Sequence, residues 1–367
     1  MSAEGRAAGA EGRWGFSAGS QGRITGVSLV LVASLMLQAV GCRRAPLEPI
    51  SPGEVEGSPV SDAAGPPPEA HLVTATPREA TATPVPAATV VVEPPRPLAA
   101  PPGFDVAVFA DGLDAPRFMA VAENGDVFVT VPRLDRIVAL PDRDGDGVAD
   151  RVVVFAEGEP LNEPHGLDFH GRWLYVANTD SILRYPYQPG ILVAPGPPDV
   201  VFPNLPGGPQ HWTRTLIFGP DERMVVSVGS SCNVCVEDNF MRATIMHFNP
   251  DGSGASVLAR GLRNAVGLAY HPDTGALWAT ENGRDLLGDD LPPDELNMIV
   301  AGEDYGWPYC YGNRVPDPDF ANEARRCQST RPADLDIPAH SAPLGLVFYR
   351  GGMFPSSWRG DAFIAYH

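Results

Sequence analysis

One unit recurs along the chain and restricts the folds open to it. An apolar run of strand-forming residues is followed by a turn containing Gly, Asp or Asn, and then by a second such run. The units begin near Phe118, Gly166, Leu216, Gly267 and Gly345. Their spacing is about 50 residues, with a long insertion before the last, which is the period of propeller blades. The second runs, among them Asp126–Val131, Trp173–Ala177 and Met224–Val228, are rich in β-branched and aromatic residues. From Gly103 onward no long segment shows helical periodicity. A four-stranded unit of this kind cannot bury both of its faces alone, so the pattern predicts an all-β domain of radially packed blades.

The repeat also predicts where a ligand would sit. In a propeller the first strand of each blade lines the central channel, and the residues just before it surround one mouth. Those positions hold Arg117, His165, His211, Arg263 with Asn264, and His340. A single histidine is more often a structural residue than a functional one. Five mouth positions carrying His, Arg or Asn point together to a polar ligand site.

The chain divides into three parts. Residues 1–41 carry Arg6, Arg13 and Arg23 and then an apolar run from Val27 to about Val40, with the size of a signal-peptide core. The run ends in Ala39-Val40-Gly41-Cys42, which suits lipidation of Cys42 and hence membrane attachment, although Ala39 stands where the lipoprotein pattern prefers leucine. An uncleaved anchor is the alternative. Residues 42–100 are rich in Pro, Ala and Thr, too poor in apolar bulk to fold, and read as a disordered, extended spacer. Residues 101–367 hold the repeat. The formal net charge of −19 and the absence of a basic run in this part argue against a nucleic-acid partner. Apart from Cys42, the cysteines form two local pairs, Cys232/Cys235 and Cys310/Cys327. Disulfides in an oxidising, exported compartment are the first reading, and a four-cysteine zinc site is the second.

Several motifs, taken in order, resemble one family. Gln210-His211 stands ahead of Gly219-Pro220-Asp221; Leu262-Arg263-Asn264 carries an arginine–asparagine pair. Thr280-Glu281-Asn282-Gly283 matches a threonine–glutamate–x–glycine loop. Asp294-Glu295-Leu296-Asn297 precedes Tyr305-Gly306-Trp307-Pro308. Together they resemble the sugar dehydrogenases that use pyrroloquinoline quinone (PQQ), of the soluble aldose/glucose and L-sorbosone types. The similarity covers roughly residues 103–367, and the run from Val228 to Glu237, which holds Cys232-Asn233-Val234-Cys235, points to the sorbosone branch rather than the glucose branch.

The resemblance implies a six-bladed propeller that oxidises an aldose or sorbosone-like sugar by hydride transfer to PQQ and passes electrons to an external acceptor. His211 would be the base, since a neutral imidazole suits removal of a hydroxyl proton. Arg263 would stabilise charge on the quinone and hold the cofactor with Asn264; the mouth histidines His165 and His340 are assigned to the cofactor as well. Calcium would lie near the backbone of Gly283 and Arg284, and a second calcium would use Glu295 and the Tyr305 carbonyl. Arg284 replaces the family's usual proline. Ser230 stands where the glucose branch has an aspartate that supports the base. The family continues beyond Ala365-Tyr366-His367 with further basic cofactor ligands, so the sequence is expected to be truncated within the propeller.

Asp142-Arg143-Asp144-Gly145-Asp146 through Asp150 has oxygens at calcium-loop spacing, but Val153 stands where the closing glutamate belongs. A turn built from Asp and Gly is the simpler reading. Two other functions compete with the dehydrogenase: a propeller that binds a ligand or partner without catalysis, and a metal-dependent lactonase. The latter would need acidic mouth ligands rather than this basic ring.

Overall fold

A computed structural model describes residues 28–30, 100 and 102–367. The signal segment and Cys42 lie outside the described residues, except for the short strand Ser28–Val30, which pairs in parallel with Asp105–Ala107. The spacer, apart from Ala100, lies outside them too.

Four antiparallel four-stranded sheets follow one another, and a two-stranded sheet comes after them. Blade 1 is Met119–Val121, Val127–Val131, Arg136–Leu140 and Val153–Glu157. Blade 2 is Leu167–His170, Trp173–Ala177, Ile182–Pro186 and Asp199–Phe202. Blade 3 is Leu216–Phe218, Met224–Val228, Thr244–Phe248 and Ser256–Arg260. Blade 4 is Ala265–Tyr270, Leu277–Glu281, Asp294–Ile299 and Leu335–Ile337. Pro343–Phe348 and Ala362–Tyr366 form the two-stranded sheet. Each of the five predicted starts thus opens a sheet. The described residues contain four complete blades; the six expected from the resemblance are not all among them. No described helix is long and apolar enough to cross a membrane.

Why the second strands are apolar throughout follows from where their faces go. In Trp173–Ala177, Leu174 and Val176 pack with Phe128, Ile137 and Phe155 toward blade 1. Tyr175 and Ala177 turn the other way, onto Met224, Met246 and Phe248 of blade 3. Val225 and Ile245 in turn meet Leu268 and Ala279 of blade 4. Side chains alternate faces along a strand, and here each face meets another blade, so both must be apolar. Burying one such side chain contributes about 1.5–3 kcal/mol.

Polar contacts fix the blades along the channel. Thr130 donates to the carbonyl of His165 at 2.8 Å, Thr215 to that of Val266 at 2.5 Å, and Thr280 to that of Pro343 at 2.8 Å. Each bond joins one blade to the backbone at the start of the next sheet. Between blades 2 and 3 the backbones approach more closely still. A Cβ on Gly166 would lie 2.5 Å from the Leu216 nitrogen, which explains the glycine there.

Both local cysteine pairs are disulfides, Cys232–Cys235 and Cys310–Cys327, so the four-cysteine zinc reading is set aside. The second lies in the insertion between the third and fourth strands of blade 4, which holds a small hairpin, Cys310–Tyr311 with Val315–Pro316, and the 3-10 segment Pro318–Ser329. The Asp142–Asp150 loop links the last two strands of blade 1. Asp142 accepts from the Gly145 and Gly147 nitrogens at 2.8 and 3.1 Å, the bonding of an Asp–Gly turn.

Candidate functional site

His211 lies at the entry to the first strand of blade 3, and two buried arginines shape its loop. Its φ of 43° is left-handed, which a non-glycine residue adopts only at a cost. Arg214, wholly buried, donates to the His211 carbonyl at 2.6 Å, to that of Thr213 at 2.7 Å and to that of Pro206 at 2.6 Å. Arg242 donates to the carbonyls of Gly207 at 2.5 Å and Gly229 at 3.1 Å. Neither guanidinium has a carboxylate hydrogen-bonded to it among the described residues. Burial lowers the Arg214 pKa to about 9, so it remains a cation at neutral pH.

The imidazole has one defined tautomer. His211 Nδ1 lies 3.0 Å from the Ser230 carbonyl and 2.8 Å from Ser230 Oγ. A carbonyl only accepts, and the serine hydroxyl spends its proton on the Cys232 carbonyl at 2.7 Å. Nδ1 therefore carries the hydrogen, and Nε2 keeps its lone pair. Burial, and then the charge of Arg263, lower the His211 pKa to about 4, so the ring is neutral at physiological pH. Ser230, which replaces the aspartate of the glucose branch, orients the ring with two oxygens and no charge. Gly229 brings the neighbours together: a Cβ there would lie 2.5 Å from that of His211 and 2.7 Å from Asn264 Oδ1.

Arg263 is buried with every N–H engaged. Nε and Nη2 donate to the backbone and side-chain oxygens of Asn233, both at 2.9 Å. Nη1 donates to the Asn282 and Gly283 carbonyls at 3.1 and 2.8 Å, and Nη2 also reaches Asp285 at 3.3 Å. The residue is thus a fixed positive charge beside His211, its donors already used. The Asn264 nitrogen donates to Glu281 at 3.1 Å.

Other predicted residues fall elsewhere. His165 is fully buried, not open at the mouth: its ring packs against Phe118 and Trp212, with Nδ1 3.3 Å from the Arg214 carbonyl. Burial, and then Arg117, lower its pKa to about 3. It is a neutral, buried histidine in this structure, with Nε2 left without a partner. His340 is exposed, with Nε2 2.8 Å from the Gly288 carbonyl. Gly283 accepts from Arg263 with its carbonyl, one of whose two lone pairs is thereby used. Arg284 has a structural role here. Its Nη1 reaches both oxygens of the buried Asp317 at 2.8 and 3.0 Å, and Asp319 at 2.8 Å, tying blade 4 to its insertion.

A second polar cluster lies within blade 4. Glu281 and Glu295 are cross-strand partners, and both are buried. Glu295 accepts from the Gly312 nitrogen at 2.7 Å and from Asn297 at 2.9 Å. Burial, little offset by these bonds, raises its pKa to about 7. Glu281 is raised well above the usual range by burial and by Glu295. Glu281 Oε2 and Asn297 Oδ1 are buried with no partner. A cavity of about 20 Å³ is lined by Glu281, Glu295, Gly283, Tyr305, Trp307 and Asp317, among others. That is room for one water or one ion. Two carboxylates, one of them with the unsatisfied Glu281 Oε2, and Tyr305 at one small cavity are oxygen donors of the kind that suits a hard cation. Glu281 was within a quoted motif, but only the strand register shows that it meets Glu295 here.

Residues 98–367 match the family described as TrAA12-like. An uncharacterized protein of Synechocystis is 31% identical over 69% of this chain and 71% of its own length. The pyrroloquinoline quinone-dependent sugar dehydrogenase of Hypocrea jecorina is 27% identical over 59% of this chain and 57% of its own length. Among solved structures, the Trichoderma reesei Carbohydrate-Active Enzymes Family AA12 protein superposes with a TM-score of 0.62, at 22% identity, covering 71% of this chain and 75% of that one. The holo PQQ domain of pyranose dehydrogenase from Coprinopsis cinerea gives 0.59, at 22% identity, covering 71% and 72%.

Proposed function

The chain belongs to the TrAA12-like family, and from that premise we propose that it is a quinoprotein dehydrogenase that oxidises an aldose or sorbosone-like sugar, with His211 as the base. One observation carries the assignment: His211 Nδ1 is held by two acceptors of Ser230, at 3.0 and 2.8 Å, leaving Nε2 as a neutral base. When bound, PQQ would supply the acceptor for the hydride of the sugar carbon. His211 takes the hydroxyl proton at Nε2, and the low pKa of the ring keeps it ready to do so at neutral pH. Arg263 supplies fixed positive charge, which favours a cofactor bearing carboxylates. Asn264, packed beside Gly229 and His211, contributes an amide for orienting the cofactor. Calcium fits the blade 4 cavity, where Glu281 Oε2 lacks a partner; Glu295 and the Tyr305 carbonyl would complete its ligands. The two disulfides favour an exported protein, with attachment through a lipidated Cys42 and an external electron acceptor as parts of this reading.

The test is reconstitution with PQQ and calcium, followed by sugar oxidation with an artificial acceptor. His211→Ala is expected to lower turnover by about 10²–10⁴-fold, the range for a lost general base, while PQQ binding measured by absorbance persists. Full turnover by that variant would remove His211 as the base. Failure of the calcium-loaded protein to bind PQQ would remove the dehydrogenase reading.

A further inference from the structure

The four-residue ring Cys232-Asn233-Val234-Cys235, closed by its disulfide, touches both functional groups of the mouth. On one side the Cys232 carbonyl takes the Ser230 hydroxyl at 2.7 Å, and Ser230 holds His211. On the other side Asn233 accepts twice from Arg263, with its carbonyl at 2.9 Å and its Oδ1 at 2.9 Å. Asn233 also clasps the next loop: its Oδ1 accepts from the Asp285 nitrogen at 2.9 Å, and its Nδ2 donates to the Asp285 carbonyl at 3.1 Å. Asp285 in turn approaches Arg263 at 3.3 Å.

We propose that this disulfide ring is a yoke that positions His211 and Arg263 relative to each other, with Asn233 the positioning residue for Arg263 and the Cys232 carbonyl the group that fixes the tautomer of His211. Both arms follow from the bonding. If the Cys232 carbonyl moves, the Ser230 hydroxyl is free to donate to Nδ1, and the opposite tautomer becomes available. If Asn233 is lost, the Arg263 guanidinium loses a side-chain anchor, and its charge is no longer pinned beside the imidazole. The other charged groups acting on His211 are Arg242, anchored on Gly207 and Gly229, and Asp285. Only Asp285 is also held by the ring. A larger loop would not do the same, since ring closure fixes the Cys232 carbonyl and Asn233 together. The value of the yoke for catalysis rests on the reading of His211 as the base, but its structural content does not.

The experiment therefore uses the full chain without cofactor. Imidazole nitrogen shifts are recorded by NMR on protein carrying ¹⁵N-histidine, and the His211 signal, one of eight, is identified by its absence in His211→Asn. In the unaltered protein the Nδ1–H tautomer is expected, with a titration midpoint near 4. Cys232→Ser/Cys235→Ser is expected to give mixed tautomers and a midpoint higher by about one pH unit or more. Asn233→Ala, which keeps the disulfide, is expected to raise the midpoint while leaving the tautomer unchanged. Cys310→Ser/Cys327→Ser is expected to change neither. An unchanged midpoint and tautomer in folded Cys232→Ser/Cys235→Ser would overturn the proposal. If circular dichroism shows that this variant is unfolded, Asn233→Ala decides, and an unmoved midpoint there overturns the Arg263 arm. Sugar oxidation is scored separately. NMR shifts as expected in a protein that oxidises no sugar would leave the yoke standing and remove the enzyme reading.

Discussion

The mouth of blade 3 and the interior of blade 4 are neighbours with opposite electrostatic problems. Around His211 there are three buried arginines, Arg214, Arg242 and Arg263, all hydrogen-bonded to protein oxygens, mostly backbone carbonyls. The surplus is positive, and it keeps the histidine neutral. In blade 4 two carboxylates lie buried together, with Glu281 Oε2 and Asn297 Oδ1 unpartnered. The surplus there is negative, and the pKa values rise. Apart from Arg214 Nε, which is buried without a partner, the first region closes as a protein network and can orient a base without help. The second is costly until a cation or protons enter, because an unpaired buried charge is expensive. A rigid base and a filled metal site therefore need different things from the same scaffold.

The strongest way to break the contrast is to supply or withdraw calcium. The sign follows from linkage. Glu295, raised from 4.5 to about 7, binds its proton more tightly in the folded state than in the unfolded one. In chelator, the contribution of this group to stability is therefore expected to be fully present below about pH 4.5 and to fall as pH rises toward 7, by about 1.4 kcal/mol per pH unit. Calcium should abolish most of that fall, adding about 2.7 kcal/mol when present at a hundredfold excess over its dissociation constant. Urea midpoints measured across pH, with calcium and with chelator, check this. Equal slopes under both conditions would show that no cation enters blade 4.

A smaller effect separates the two carboxylates. Glu281→Gln removes one charge and keeps the shape. In chelator at pH 8 it is expected to stabilise the protein by about 1–2 kcal/mol, because the like-charge pair is gone. Its response to calcium should fall below about half that of the unaltered protein. The His211 midpoint should stay where it is. A matching shift at His211 would show that the two regions are one coupled site.

Much of the scaffold was legible in sequence because strand alternation is a local signal. The second strands Trp173–Ala177 and Met224–Val228 match their predicted runs end to end, and the Asp126–Val131 run loses only its first residue, to Val127–Val131. The mouth position of His211 follows from the repeat alone. Burial at the mouth does not. His165 occupies an equivalent place, yet Phe118 and Trp212 close over it, and both come from neighbouring units. Long-range pairing was hidden for the same reason. The salt bridge from Arg284 to Asp317 joins a loop of blade 4 to the middle of its insertion. The convergence of Glu281 and Glu295 needs a register that no run of residues states. Ser230 read as a lost carboxylate, because nothing in the sequence shows that a left-handed His211 brings Nδ1 against its carbonyl as well as its hydroxyl.

That double contact gives the smallest and most discriminating prediction. Ser230→Ala removes Oγ but keeps the carbonyl, so His211 Nδ1 still has an acceptor at 3.0 Å. A hydrogen bond contributes about 0.5–1.5 kcal/mol net, so turnover should fall by only about 2–12-fold. The acid limb of kcat/KM should stay well below 6.5, because burial and Arg263, not the hydroxyl, lower the pKa. Ser230→Asp should act differently. A carboxylate at Nδ1 favours the imidazolium, so the pKa rises and activity is lost at mildly acidic pH where the unaltered protein still works. The pair of variants isolates what the serine supplies, which is orientation without charge. If Ser230→Ala moved the acid limb up to 6.5, the neutral histidine would depend on that hydroxyl, and the contrast between a self-sufficient blade 3 and a cation-dependent blade 4 would fail. If Ser230→Asp left the limb in place, the charge of Arg263 would outweigh a carboxylate in contact with the ring, and the base would be insulated more strongly than its hydrogen bonds imply.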